Sequence, residues 1–113
     1  MSKGEDNPIR YAVISATSSS TAVVAGVAGQ RIRLLGYTLT VGTATNIKFE
    51  EADGGTALTG VMELAAKGGI SVPATYIGVL ETSTAANGLF INTSATSNVM
   101  GHVSYQLFEE ITN

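Results

Sequence analysis

The chain predicts an all-β fold: an antiparallel β-sandwich of about eight strands, jelly-roll-like, with a short N-terminal arm. Three observations carry this. Short apolar runs recur along the chain, separated by Gly, Ser, Thr and Asn turn residues at short intervals. The longest run, residues 31–41, holds β-branched, aromatic and aliphatic residues and contains neither a helix cap nor a proline. At 113 residues there is room for one domain. A chain of that size buries roughly two-thirds of its unfolded surface, enough for a core without disulfides or metal.

Residues 1–8 carry charges of both signs and few apolar groups, so they read as an arm that is flexible or ordered by a partner. The sandwich spans residues 9–110, and 111–113 form a tail. In the first strand Ile9, Tyr11 and Val13 alternate with Arg10, Ala12 and Ile14. A polar loop, 15–20, leads to a short strand at 21–25, which ends at Gly26 and an Ala28-Gly29 turn.

The central run then changes phase. Arg31 and Arg33 alternate with Ile32 and Leu34, after which Leu35, Tyr37, Leu39 and Val41 form the apolar set. A regular strand would put the arginines on the same face as that second set. A β-bulge near Leu34-Leu35-Gly36 cures the mismatch, and glycine suits such a site. Burial of both faces, one of them by another subunit, is the other cure.

A turn at 41–45 precedes Asn46-Ile47-Lys48-Phe49-Glu50-Glu51, which alternates cleanly, with Ile47 and Phe49 inward and Lys48 and Glu50 in solvent. Asp53-Gly54-Gly55 closes that strand. Residues 59–69 are ambiguous, since Met62 to Lys67 has helix propensity. So short a helix is marginal, and a strand over 61–64 with a turn at Lys67-Gly68-Gly69 is preferred. Ile70 to Pro73 fits the end of an edge strand. A further strand is expected at 76–81, and Asn87-Gly88 is the strongest hairpin signal. Residues 89–93 follow with Leu89 and Ile91 inward. The last strand, 99–108, sets Val99, Gly101, Val103, Tyr105 and Leu107 against Met100, His102, Ser104, Gln106 and Phe108.

Composition narrows the function. The chain is 44% hydrophobic and 13% charged, about half the usual charge. Self-association or docking is therefore expected to cover part of its surface. A net charge of −3 with six Lys and Arg residues supplies no phosphate-neutralising patch, which argues against nucleic acid. There is no cysteine, hence no disulfide and no thiolate metal site. The first residues hold no apolar stretch of a secretory signal, and no window approaches a membrane-spanning length. The expectation is synthesis in a cytoplasm and no membrane partner.

No residue pattern carries chemistry, and no enzyme activity or cofactor is expected. His102 is the sole histidine, set mid-strand and without a Gly-x-Ser-x-Gly elbow elsewhere. Glu50, Glu51 and Asp53 gather carboxylates, but out of register with a calcium loop; a solvated strand end is the expectation. Asn92-Thr93-Ser94 matches a glycosylation sequon inside a strand and is read as chance. The tyrosines, Tyr11, Tyr37, Tyr76 and Tyr105, could line a sugar-binding face and are otherwise packing residues.

Several runs carry a resemblance. They are Ala28-Gly29-Gln30-Arg31-Ile32-Arg33-Leu34-Leu35, Thr56-Ala57-Leu58-Thr59-Gly60, Leu64-Ala65-Ala66-Lys67-Gly68-Gly69, Gly78-Val79-Leu80-Glu81-Thr82-Ser83, Gly88-Leu89-Phe90-Ile91-Asn92-Thr93-Ser94 and Gly101-His102-Val103-Ser104-Tyr105. Over residues 20–107 the chain resembles small structural proteins of tailed bacteriophages, most of all the decoration, or cement, proteins of the capsid. The resemblance implies a jelly-roll sandwich acting as a homo-oligomer, dimer or trimer, on the virion surface. Its partner would be the major capsid protein. The alternative is a carbohydrate- or receptor-binding module of a phage tail or capsid surface. Contact candidates are Lys3, Glu5 and Asp6 of the arm, with Arg10, Tyr37, Met100 and Phe108.

Overall fold

Alternation prevails over helix propensity throughout. The computed structural model describes residues 8–17, 20–75 and 77–109, and among them it holds ten strands and no helix. The strands are β1 (Arg10–Ala16), β2 (Ser20–Val24), β3 (Gln30–Val41), β4 (Thr45–Glu51), β5 (Thr56–Ala57), β6 (Met62–Leu64), β7 (Gly69–Val72), β8 (Leu80–Glu81), β9 (Leu89–Thr93) and β10 (Val99–Glu109). The first of two antiparallel sheets runs β1-β10-β3-β7, with β8 also on β3. The second runs β2-β9-β4-β5, with β6 also on β4.

β5 and β6 share one edge of β4, and β7 and β8 share one edge of β3. Counting each broken edge as a single strand gives eight strands that pass back and forth between the sheets in jelly-roll order. The ambiguous segment folds as the strand β6, and Lys67, at φ 63°, makes the turn after it.

The phase change in β3 is a bulge. Ser104 pairs with Gly36 and Tyr105 with Leu34, which leaves Leu35 as the extra residue. Ile32 and Leu34 thereby face inward together with Tyr37, Leu39 and Val41, while both arginines face out. Gly36 is needed because the chain after β7 crosses it closely: a Cβ there would stand 2.7 Å from Ala74 Cα. Leu35 is buried outside the core cluster, beside Ile9, Ala74 and Thr75.

Between the sheets lie Ile14 and Ala16 of β1, the inward set of β3, Ile47 and Phe49 of β4, Leu89 and Ile91 of β9, and Val99 and Val103 of β10. Tyr37 meets Phe49 edge to face, ring centroids 4.9 Å apart. On β10, Val99 and Val103 are buried in the core with Tyr105 and Leu107 packed against it, as expected, while Ser104 of the other set is buried too.

Three expectations are corrected. Of residues 76–81 only Leu80 and Glu81 are a strand among the described residues; Gly78, at φ +87°, turns the chain out before them. Asn87-Gly88 joins no hairpin, because β8 and β9 lie in different sheets and the segment is a crossover. Glu50 and Glu51 are not solvated: each is 3% exposed.

Glu51 shares strand parity with Ile47 and Phe49 and fastens this crossover. Its carboxylate accepts bonds from Ser83 N (2.7 Å), Ser83 Oγ (2.9 Å), Thr84 N (3.2 Å) and Asn87 Nδ2 (2.8 Å). Burial pushes the carboxyl pKa up, but the Asn87 amide and the Ser83 and Thr84 donors outweigh it and hold the group below its ordinary value. Glu50, on the opposite face, lies 3.4 Å from Lys48 Nζ through Oε2. Its other oxygen has no hydrogen-bond partner among the described residues.

Candidate docking surface

The feature that the fold leaves over is the outer face of the first sheet. On β1 the inward positions are Ala12, Ile14 and Ala16, and Ile14 and Ala16 are sealed in the core. Strand parity then puts Tyr11, Val13 and Ser15 outside. Tyr11 is 73% exposed and Val13 75%. Two large apolar side chains of the strand therefore stand in water while Ile14 and Ala16 are buried. Leaving Val13 uncovered forgoes roughly 1.5–3 kcal/mol of burial.

β10 extends the patch. Cross-strand pairs are Tyr11 with Ser104, Val13 with His102, and Ser15 with Met100, which is 46% exposed. Further in, His102 faces Thr38 and Met100 faces Thr40 of β3. A shallow cavity of about 240 Å³ opens here, lined by Tyr11, Gly36, Thr38, Ser71, His102 and Ser104 among others. Thr38 Oγ1 and Ser71 Oγ share a hydrogen bond of 3.0 Å on its floor.

The far end of the same face is charged. Arg31 and Arg33 stand with their guanidinium carbons 5.1 and 4.6 Å from the Phe108 ring centroid. Both pair with Glu81, at 3.4 and 2.8 Å, and Arg31 Nε donates to the Thr82 carbonyl at 2.7 Å. The bulge creates this cluster by turning the arginines outward.

Of the contact candidates, Met100 and Phe108 both lie on this face, and Arg10 is exposed at the start of β1. Tyr37 is corrected: it is 8% exposed, turned between the sheets against Phe49, and its hydroxyl lies 3.9 Å from Met62 Sδ. A side chain held there is not presented to a partner. Lys3, Glu5 and Asp6 lie outside the described residues, as does Tyr76. Tyr11 and Val13 are exposed residues of this face that sequence reasoning does not name as docking candidates, Tyr11 being read only as a packing or sugar-face tyrosine. Their signal is an alternation with apolar residues in both sets, which leaves the outward set open.

The other chemical candidates stay apart. His102 is exposed, and among the described residues no hydrogen bond joins it to a carboxylate or hydroxyl. No group of three His, Asp or Glu side chains converges among the described residues, and Glu51 is already occupied by the crossover. No described helix is long and apolar enough to cross a membrane.

No protein family, curated protein or solved structure matches the chain.

Proposed function

We propose that this protein is a virion structural protein that docks on an assembled phage capsid and stabilises it by bridging coat subunits. Its partner is the major capsid protein, its place the capsid surface, and it acts as a homo-oligomer without catalysis. The observation that carries the reading is the exposure of Tyr11 and Val13 beside Met100, on a strand whose other face seals Ile14 and Ala16 in the core. Apolar side chains set in a row on a flat sheet suit a broad protein surface better than a small ligand. The expectation drawn from the motifs of residues 20–107 points the same way.

A clamp of this kind works by mass action. A shell is held by many weak contacts, and a protein that binds only the assembled state shifts the equilibrium toward it. Repeated copies at symmetry-related sites add avidity. The test is cosedimentation: the chain pellets saturably with assembled capsids of its own phage and stays soluble with unassembled coat protein. Equal binding to both, or to neither, contradicts the reading.

One observation favours a second reading, carbohydrate binding. The cavity beside Tyr11 carries the hydroxyls of Thr38, Ser71 and Ser104, an aromatic and polar lining that suits a sugar ring. Saturable glycan binding by the isolated protein, lost in Tyr11→Ala and combined with failure to cosediment, would favour it over docking.

A further inference from the structure

Edge strands invite pairing, and folded proteins blunt them with short lengths, bulges or proline. The edges of this sandwich are not treated alike. β2 is five residues long and its pairing with β9 shifts register between Ala22 and Val24. The edge on β4 is split into pieces of two and three residues, β5 and β6. The edge on β3 is split into β7 and β8, of four and two residues, and Pro73 follows the first of them. Among the described edge strands β1 alone is long and unbroken: seven residues in register with β10, with no proline and no bulge. Its sole charge, Arg10, sits at the very start.

We infer that β1 pairs with β1 of a second copy about a twofold axis, joining the first sheets of two molecules into one continuous sheet. The inference rests on the docking reading and names the oligomer contact within it. The sequence of β1 suits the operation. Antiparallel self-pairing must set outward residues opposite outward residues, and centring on Val13 does so while using all seven positions. Val13 then faces Val13, Tyr11 faces Ser15, Ala12 faces Ile14 and Arg10 faces Ala16. The two Arg10 side chains end up about 20 Å apart along the strand, beyond the roughly 10 Å screening length at 0.1 M salt. The register therefore meets no like-charge opposition. On the outer face, Tyr11, Val13 and Met100 of both copies merge into one apolar strip, twice the patch that a single copy offers a capsid.

The chain has no native cysteine, which makes the test direct. Directly opposed residues in an antiparallel pair have Cα atoms about 4.5–5.5 Å apart, within the span of a disulfide. Under mild oxidation the full-length Val13→Cys protein is expected to form a covalent dimer. Tyr11→Cys alone and Ser71→Cys, on the same face but at the opposite edge in β7, form no covalent dimer, and a mixture of Tyr11→Cys with Ser15→Cys cross-links. In sedimentation the unmodified chain runs as a dimer, and Val13→Lys, whose fold is checked by circular dichroism, runs as a monomer. A wild-type chain that stays monomeric across the micromolar range overturns the inference, as does Val13→Cys that cross-links no faster than Ser71→Cys. A dimer that survives Val13→Lys also overturns it. Failure of the interface is separable from failure of the docking reading: a monomer that still cosediments with capsids removes the first alone, and a dimer that does not cosediment removes the second alone.

Discussion

β1 and β4 are both seven-residue strands, yet the fold treats them in opposite ways. β4 lies inside its sheet, and even residues that look fit for water are enclosed: Glu50 and Glu51 are each 3% exposed. β1 lies at an edge, and residues that look fit for a core are left out: Tyr11 and Val13 are 73% and 75% exposed. In β4 the cost of burying a carboxylate is offset by hydrogen bonds from Ser83, Thr84 and Asn87. In β1 nothing within the described chain offsets the exposure. The first pattern serves the fold. The second fits the contact proposed beyond it.

The comparison predicts that damage to β4 lowers stability and damage to β1 does not. The largest effect is expected from Phe49→Ala, which empties a fully buried site against Tyr37. Chemical denaturation should show a loss of about 3–5 kcal/mol. A loss below about 1 kcal/mol would mean that the sheets do not meet at Phe49.

Next comes Glu51→Gln, which replaces one acceptor oxygen by an amide facing donors. About 1.5–3 kcal/mol should be lost, the usual worth of hydrogen bonds to a charged group. The pH dependence follows from the lowered pKa of Glu51. Because the folded value lies below the unfolded one, its stabilisation is complete above the unfolded carboxylate range and fades as pH falls through the folded value. Acid titration of the wild type should show that loss, and Glu51→Gln should flatten it. Equal acid sensitivity in the two proteins would remove Glu51 as the crossover's fastening.

The strands are legible in the sequence because alternation and turn residues agree over most of the chain, as in residues 45–51 and 99–109. The bulge is legible too, because an extra residue shifts the alternation by one and glycine beside it accommodates the bend. What stays hidden depends on distant segments. Asn87-Gly88 carries a local hairpin signal, but the crossover between sheets overrides it, and the Asn87 amide serves Glu51 instead. Glu50 and Glu51 read as solvated because alternation says nothing about what covers a strand end. Part of the candidate surface is visible in Met100 and Phe108. Tyr37 is offered as a contact although it belongs to the inward set of β3 with Leu39 and Val41, and Tyr11 and Val13 are not singled out as a docking patch because both sets of β1 hold apolar residues.

The smallest effect on stability, and the sharpest on binding, belongs to β1. The double variant Tyr11→Ala/Val13→Ser, measured for both its unfolding midpoint and its cosedimentation with capsids, tests the claim that this face is built for a partner. Stability should stay within about 0.5 kcal/mol of wild type, as for exposed sites generally. Capsid affinity should fall by about 2 kcal/mol or more, roughly thirtyfold. Unchanged capsid affinity, or a loss of stability as large as that of Glu51→Gln, would contradict it.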